Sequence, residues 1–208
     1  MYDALLFDLD GTLVDTESIS IETGLAAFKA HGHVVGRDFL ESLVGTDDPT
    51  ADGMIRSAFP GIDLAAVNRT QKAAFLERIE GGLVLKPGAS ELLAAMRLPS
   101  AIVTSSRRDS ARRKLAAAGI SDIFAHVVTL DDVTAPKPAP DAYLVAAALF
   151  GLDPGRCLVF EDSEIGAEAA HRAGCVVVQV PDVVPSQGRW ARHLAPDLLT
   201  GARMAGLL

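Results

Sequence analysis

The chain has 208 residues, of which 49% are hydrophobic and 22% charged, and its formal net charge is −8. This composition is typical of an ordinary globular protein and excludes disordered and fibrous classes. The negative charge argues against a nucleic-acid partner, since clustered lysine and arginine are what hold phosphate backbones. The chain has no apolar run long enough to span a bilayer and no signal-peptide pattern, so we expect a cytoplasmic protein without membrane attachment.

A short apolar run at residues 5–7 leads directly into Asp8-Leu9-Asp10-Gly11. We predict that this run is a buried strand of a parallel sheet, and ligands of such sheets bind beyond the carboxyl ends of the strands. Side chains two residues apart on an extended segment point the same way, so Asp8 and Asp10 can converge on one atom. Gly11 lets the backbone approach a phosphate closely. The pattern predicts either metal-assisted phosphoryl chemistry or a simple acidic turn.

The next segment is rich in helix formers and contains no convincing strand. Glycine and proline turns separate the predicted helices, which cover residues 16–30, 38–43, 49–58 and 65–79. From residue 86 onward, helices alternate with short β-rich runs at 101–104, 126–130, 157–161 and 176–180, and this alternation predicts a parallel sheet. We therefore expect an α/β fold, with a doubly wound core of residues 1–14 and 86–208 and an inserted α-helical domain of residues 15–85. Residues 181–208, which include a short leucine-rich helix, are expected to pack on the core.

Three later strands also run into polar residues that could act on the same ligand. Thr104-Ser105-Ser106 offers hydroxyls and backbone N–H groups at a helix start, which suits an anion or an ordinary helix cap. Lys137 lies in a proline-rich loop, where it is either a functional cation or an unengaged surface lysine. Glu161-Asp162-Ser163 offers carboxylates that are metal ligands or part of a helix cap.

Two further patterns are read as structural. The basic run of Arg107, Arg108, Arg112, Arg113 and Lys114 has helical spacing and predicts a solvated helix face. Cys157 and Cys175 lie in or beside apolar strand-like runs and form no Cys-x-x-Cys motif. We expect reduced, packed thiols rather than a metal or redox pair.

The order of the four strand-end motifs resembles the haloacid dehalogenase superfamily. The resemblance is strongest to its branch of phosphatases and phosphomutases that carry a helical cap after the first motif. The matching segments are 7–17, 104–106, 137–138 and 160–163, and the resemblance extends to about residue 180. It implies a Rossmann-like core with an inserted helical cap domain.

The resemblance also implies a function, the Mg²⁺-dependent hydrolysis of a small phosphorylated metabolite through an aspartyl phosphate. Asp8 would be the nucleophile and Asp10 the general acid and base. The metal ligands would be the Asp8 and Asp162 carboxylates and the Asp10 carbonyl, with Glu161 orienting a metal-bound water. The phosphate would be held by Gly11, Thr104, Ser105 and Lys137, and Lys137 would neutralise developing charge.

The cap is expected to select the substrate, a sugar-type phosphate being favoured. The candidate residues in the cap are Glu17, Ser20, Thr46, Asp47, Asp48 and Lys72. In β-phosphoglucomutase-like relatives a cap histidine and an arginine hold a second phosphate, and here Ser20 and Asp48 stand at the matching places. An acid there would repel a second phosphate, so hydrolysis is favoured over phosphomutase activity.

Two other functions stay open as alternatives. A dehalogenase does not require the second aspartate or the acidic fourth motif, so the presence of both argues against dehalogenase activity. A noncatalytic binding protein of the same fold could dispense with Asp8 or Asp10, yet both are present here. We expect a monomer.

Overall fold

The computed structural model describes residues 1–44 and 48–208, with the side chains of residues 48 and 49 left out. Of the predicted cap residues, Thr46 and Asp47 lie outside the described residues, and so does the side chain of Asp48. The chain divides into two compact units. We call Met1–Asp15 together with Leu83–Leu208 the core unit, and Thr16–Gly82 the helical unit.

The core unit contains a six-stranded sheet in which every pairing is parallel. In chain order the strands are β1 (Ala4–Phe7), β2 (Ser100–Val103), β3 (His126–Val128), β4 (Cys157–Glu161), β5 (Val176–Gln179) and β6 (His193–Leu194). The strand order is β3-β2-β1-β4-β5-β6, so the winding direction reverses between β1 and β4. The predicted doubly wound sheet is confirmed, and its ligand crevice is expected at this reversal.

The described residues of the helical unit form four helices: α1 (Glu17–Ala30), α2 (Arg37–Glu41), α3 (Asp48–Ala58) and α4 (Leu64–Glu80). Its interior is formed by apolar residues such as Ile21, Phe28 and Val67, all of which are buried. Gly24 of α1 permits close packing, since a Cβ atom there would lie 3.0 Å from the Leu40 side chain.

Five helices belong to the core unit: α5 (Ala89–Ala95), α6 (Arg108–Ala117), α7 (Asp141–Leu149), α8 (Glu164–Ala173) and α9 (Leu198–Met204). The α7 and α8 helices bring small side chains such as Ala146, Ala167 and Ala170 into the core cluster with the sheet residues Leu6 and Val159. Strands β1 and β4 are buried along their whole length. Apart from Glu161 at the end of β4, both strands are apolar, which reflects coverage of the sheet on both faces.

Several element boundaries shift by one or two residues, and two differences have a structural explanation. The strand predicted at 126–130 ends at Val128, because the Asp132 carboxylate accepts hydrogen bonds from the N–H and hydroxyl of Thr129 and stabilises a short 3₁₀ helix, Leu130–Asp132. The two-residue strand β6 was not predicted, since two residues carry no alternation pattern.

Within the described residues, none of the helices has the length and apolar character needed to cross a bilayer.

Candidate active site

Asp8 follows β1 directly at the carboxyl edge of the sheet. Its N–H donates a hydrogen bond to the carbonyl of Phe160 on β4 (3.0 Å), which fixes the backbone at the point where the winding reverses. The residue is buried, with 7% of its surface exposed. The sequence-predicted nucleophile thus lies where open α/β sheets bind their ligands.

Lys137 connects the third motif to the first and fourth. Its Nζ donates to Asp8 Oδ1 (2.7 Å), to Glu161 Oε1 (2.6 Å) and to the carbonyl of Val103 (2.9 Å). These three acceptors match the three protons of an ammonium group. The side chain is 5% exposed, so the alternative of an unengaged surface lysine is wrong.

Glu161 is completely buried and accepts several hydrogen bonds. Besides Lys137, the Tyr143 hydroxyl donates to Oε1 (2.5 Å) and the Ser163 hydroxyl to Oε2 (3.3 Å). Ser163 caps α8 by accepting from the N–H of Gly166 (3.0 Å), so the helix-cap alternative holds for Ser163 but not for Glu161. Sequence reasoning missed Tyr143, because a tyrosine among the alanines of α7 looks like a core residue. The only available signal was that a buried tyrosine hydroxyl usually finds a partner.

The buried charges affect one another strongly. Burial raises the pKa of Asp8 to about 7, against the opposing effect of the Lys137 ammonium. Burial alone would lower the pKa of Lys137, but the adjacent Asp8 and Glu161 carboxylates raise it above its usual value and keep the ammonium charged. Burial and the charge of Glu161 raise the pKa of Tyr143, so its hydroxyl remains a neutral donor.

Asp8, Glu161 and Asp162 form a group that could hold a metal ion. Each offers a carboxylate oxygen, and these oxygens all lie within 4.8 Å of one another. Thr12 donates to Asp162 Oδ1 (3.2 Å). Hard divalent cations prefer oxygen ligands, and a cation would offset the charge repulsion that contributes to the raised pKa of Asp8. The residues present therefore fit a divalent metal.

Gly11 has a geometric reason to be glycine. Its φ is +77°, a conformation that other residues rarely adopt. A Cβ atom at this position would also overlap the carboxylate of Asp162. The backbone at Gly11 therefore passes very close to the carboxylate of Asp162.

Asp10 is held by residues of the second motif and of α6. Ser106 Oγ donates to Asp10 Oδ2 (2.8 Å), and Lys114 Nζ donates to Asp10 Oδ1 (2.6 Å) and to Ser106 Oγ (2.9 Å). The Asp10 carboxylate is not in the group of carboxylates that could share a metal, and the predicted ligand from this residue is its backbone carbonyl.

The predicted solvated face of α6 is wrong at one position. The arginines at 107, 108, 112 and 113 are exposed, but Lys114 is 7% exposed and faces Asp10. A lysine stem can be buried when its ammonium reaches a partner. The partner here lies 104 residues away in the sequence, so local spacing could not reveal it.

The remaining predicted phosphate ligands follow β2. Thr104 is buried and its Oγ1 accepts from the N–H of Ser106 (3.0 Å), while Ser105 is exposed. Both therefore lie at the same edge of the sheet as Asp8.

In the helical unit, Glu17 and Ser20 line a partly open cavity of about 360 Å³ together with Asn68 and Gln71. Gln71 Nε2 donates to the carbonyl of Ser20 (3.1 Å). Lys72 is exposed and is not among the residues that line this cavity.

Comparison with known proteins identifies the family of this chain and several of its relatives. A model of the haloacid dehalogenase-like hydrolase family matches residues 5–180. The validoxylamine A 7′-phosphate phosphatase of Streptomyces hygroscopicus subsp. limoneus is 34% identical, with 86% of this chain and 85% of the relative covered. Hexitol phosphatase A of Escherichia coli is also 34% identical, with 84% of this chain and 81% of the relative covered.

Solved structures show the same architecture. A haloacid dehalogenase family hydrolase from Deinococcus radiodurans, solved with bound phosphate and sodium, superposes with a TM-score of 0.82 at 26% identity and covers 100% of this chain and 97% of its own. The family match spans all four strand-end motifs. The chain belongs to the haloacid dehalogenase-like hydrolase family.

Proposed function

We propose that this hydrolase is a Mg²⁺-dependent phosphatase that cleaves a small sugar-type phosphate monoester through an aspartyl phosphate. The observation that carries the proposal is the ammonium of Lys137, which lies within 2.7 Å of Asp8 and 2.6 Å of Glu161 in a buried site. Such a site combines a carboxylate nucleophile with a fixed positive charge. Relatives named as phosphatases, among them a fructose-1-phosphate phosphatase of Escherichia coli, support it.

In the first half-reaction, a carboxylate oxygen of Asp8 forms a bond to phosphorus while the bond from phosphorus to the ester oxygen breaks. Asp10 gives its proton to the leaving alcohol. This proton transfer is worth about 10²–10⁴ in rate for a general acid. The products of the step are the free alcohol and Asp8 in phosphorylated form.

In the second half-reaction, the Asp10 carboxylate takes a proton from a water molecule, whose oxygen attacks phosphorus. The bond between Asp8 and phosphorus breaks, inorganic phosphate leaves, and both aspartates return to their starting states. Splitting one difficult displacement into two easier ones is the advantage of covalent catalysis.

The metal would be held by the carboxylates of Asp8 and Asp162 and the carbonyl of Asp10, with Glu161 as a further acidic partner. When bound, Mg²⁺ supplies positive charge that lets an anionic nucleophile and a phosphate dianion come together. The chain's own contribution is Lys137, which places a second positive charge beside Asp8.

The phosphate oxygens would be bound by backbone N–H groups near Gly11 and by Thr104 and Ser105, and the positive charge of Lys137 would neutralise the charge that develops on them. Hydroxyls and N–H groups aimed at developing charge stabilise a transition state without reorganisation.

We assign selection of the alcohol to the helical unit, with Glu17 and Asp48 as the candidate contacts. Its cavity is lined by polar residues, Glu17, Ser20, Asn68 and Gln71, beside apolar ones, and the described lining contains no cation. Hydrogen-bonding groups without a positive charge suit the hydroxyls of a sugar or polyol. A second phosphate would lack a positive partner among these described lining residues.

The test is release of inorganic phosphate from a panel of sugar, polyol and nucleotide monophosphates, with Mg²⁺ and with chelator. The Asp8→Asn variant removes the nucleophile, and Asp122→Asn is a matched control, since Asp122 is an exposed carboxylate. Mg²⁺ binding by calorimetry to the wild type and Asp162→Asn reports on the metal site without activity.

We expect metal-dependent turnover of a subset of the panel, lost in Asp8→Asn and kept in Asp122→Asn. Full activity of Asp8→Asn would contradict the proposed nucleophile. No release from any ester, with glucose 1-phosphate converted to its isomer in the presence of the bisphosphate, would replace the phosphatase by a phosphomutase.

A further inference from the structure

We propose that Lys114, together with Ser106, is a positioning residue that fixes the carboxylate of Asp10 for proton transfer. This inference rests on the proposed function, in which Asp10 is the general acid and base. The inference adds Lys114 of α6, which lies outside the four strand-end motifs, to the residues of the proposed site.

The three side chains form a closed set of hydrogen bonds. Lys114 Nζ lies 2.6 Å from Asp10 Oδ1 and 2.9 Å from Ser106 Oγ, and Ser106 Oγ lies 2.8 Å from Asp10 Oδ2. Each carboxylate oxygen of Asp10 therefore has its own donor. A carboxylate held at both oxygens cannot turn freely about its terminal bond, so its orientation is set before it takes the proton from water that it gives to the leaving alcohol of the next turnover.

The burial of Lys114 indicates that its ammonium is there to pair with Asp10. The neighbouring Arg112 and Arg113 are exposed, while the Lys114 side chain is 9% exposed. Withdrawing an ammonium from water is costly unless it finds a charged partner. Lys114 lies on the buried side of α6 with Ala111 and Leu115, and its charge is directed at the Asp10 carboxylate, which is itself 22% exposed.

In the first half-reaction, the orientation of Asp10 affects only the protonation of the leaving alcohol. The bond between phosphorus and the ester oxygen breaks, and Asp10 supplies the proton that this oxygen takes up; Lys114 neither gains nor loses an atom. A general acid must lie within hydrogen-bond reach of the leaving oxygen. Loss of Lys114 therefore impairs esters whose alcohol must be protonated and spares esters whose leaving group departs as a stable anion.

The experiment compares kcat/KM for fructose 1-phosphate and for p-nitrophenyl phosphate in the wild type and Lys114→Met. This ratio reports only on steps up to alcohol release, so the second half-reaction does not enter. Arg113→Met is the matched control, because it removes an exposed positive charge from the same helix.

We expect kcat/KM for fructose 1-phosphate to fall at least ~10²-fold in Lys114→Met, within the range of general acid catalysis, and kcat/KM for the aryl ester to fall less than ~10-fold. Arg113→Met should match the wild type on both esters. An equal fall on both esters would mean that Lys114 merely supports the fold, and it would overturn the inference.

A second measurement does not depend on activity. Urea unfolding of the wild type, Lys114→Met, Asp10→Asn and the double variant gives a double-mutant cycle. We expect the two substitutions to be non-additive, because each removes the partner of the other. Should the wild type hydrolyse no phosphate ester, the proposed function fails while the cycle still shows whether Lys114 acts on Asp10. Additive effects overturn the inference in either case.

Discussion

The carboxylate of Glu161 occupies the space that a Cβ atom on Gly166 would fill. Gly166 lies in the first turn of α8, and its N–H is bonded to Ser163. The absence of a side chain at 166 thus lets the helix approach the buried acid that holds Lys137. A glycine three residues after the fourth motif therefore supports the site through packing.

Replacing Gly166 by alanine should therefore destabilise the protein and impair the site. The added methyl group overlaps Glu161, and overpacking of this kind costs about 1–3 kcal/mol. Gly53→Ala is the matched control, because Gly53 is also helical but its Cβ would meet no atom within 4 Å. Urea unfolding should show a loss for Gly166→Ala and a gain of up to about 1 kcal/mol for Gly53→Ala. Equal stability of Gly166→Ala and wild type would contradict the packing argument.

Asp10→Asn should separate metal binding from turnover. The proposed ligand from Asp10 is its backbone carbonyl, which the substitution keeps, whereas the acid–base group is lost. We expect turnover to fall about 10²–10⁴-fold while Mg²⁺ affinity measured by calorimetry stays unchanged. Asp109→Asn serves as the control for the loss of one charge, because Asp109 is an exposed carboxylate on α6. Unchanged turnover would remove Asp10 from the mechanism.

Asp197 caps α9 and makes its stability depend on pH. Its Oδ1 accepts from the N–H of Thr200 (2.8 Å) and its Oδ2 from the Thr200 hydroxyl (2.7 Å). These hydrogen bonds, that of the N–H first, lower the pKa of Asp197 below its usual 3.8. The stabilisation is therefore complete well above pH 3.8 and is lost as the pH falls through the lowered pKa of the folded protein.

Asp197→Ala should cost about 1 kcal/mol of unfolding free energy at neutral pH, and the difference from wild type should shrink as the pH drops below 3.8. Asp197→Asn keeps a capping oxygen but does not titrate, so its difference from Asp197→Ala should persist across the range. Urea unfolding at a series of pH values measures both. A constant difference between wild type and Asp197→Ala would contradict the linkage.

The two cysteines should be unreactive in the native protein. Burial raises the pKa of the Cys157 thiol to about 11 and that of the Cys175 thiol to about 12. Thiolates are the reactive species, so iodoacetamide at mildly alkaline pH should modify neither residue until the protein is unfolded. Mass spectrometry counts the modified thiols before and after adding denaturant. Rapid native modification of either cysteine would show that it is accessible.

The core and much of the site could be predicted from the sequence because parallel strands end at one edge. Asp8, Lys137 and Glu161 are far apart in the chain, yet the sheet brings them into direct contact. Local sequence patterns could not reveal which residue a buried polar side chain contacts. Lys114 belongs to a basic run whose other members are solvated, and Tyr143 lies in an alanine-rich helix, so neither looks functional from its neighbours.

The insertion point of the helical unit has a consequence for the evolution of such enzymes. The strand-like residues Val14 and Leu85 pair in antiparallel fashion, with hydrogen bonds from Lys86 N–H to the Leu13 carbonyl (2.9 Å) and from Asp15 N–H to the Val84 carbonyl (3.1 Å). The chain therefore leaves and re-enters the core through one two-stranded clasp. This pairing does not depend on the sequence of the segment inserted between its two strands. The inserted segment can therefore change in length and sequence without altering the backbone pairing that joins it to the core.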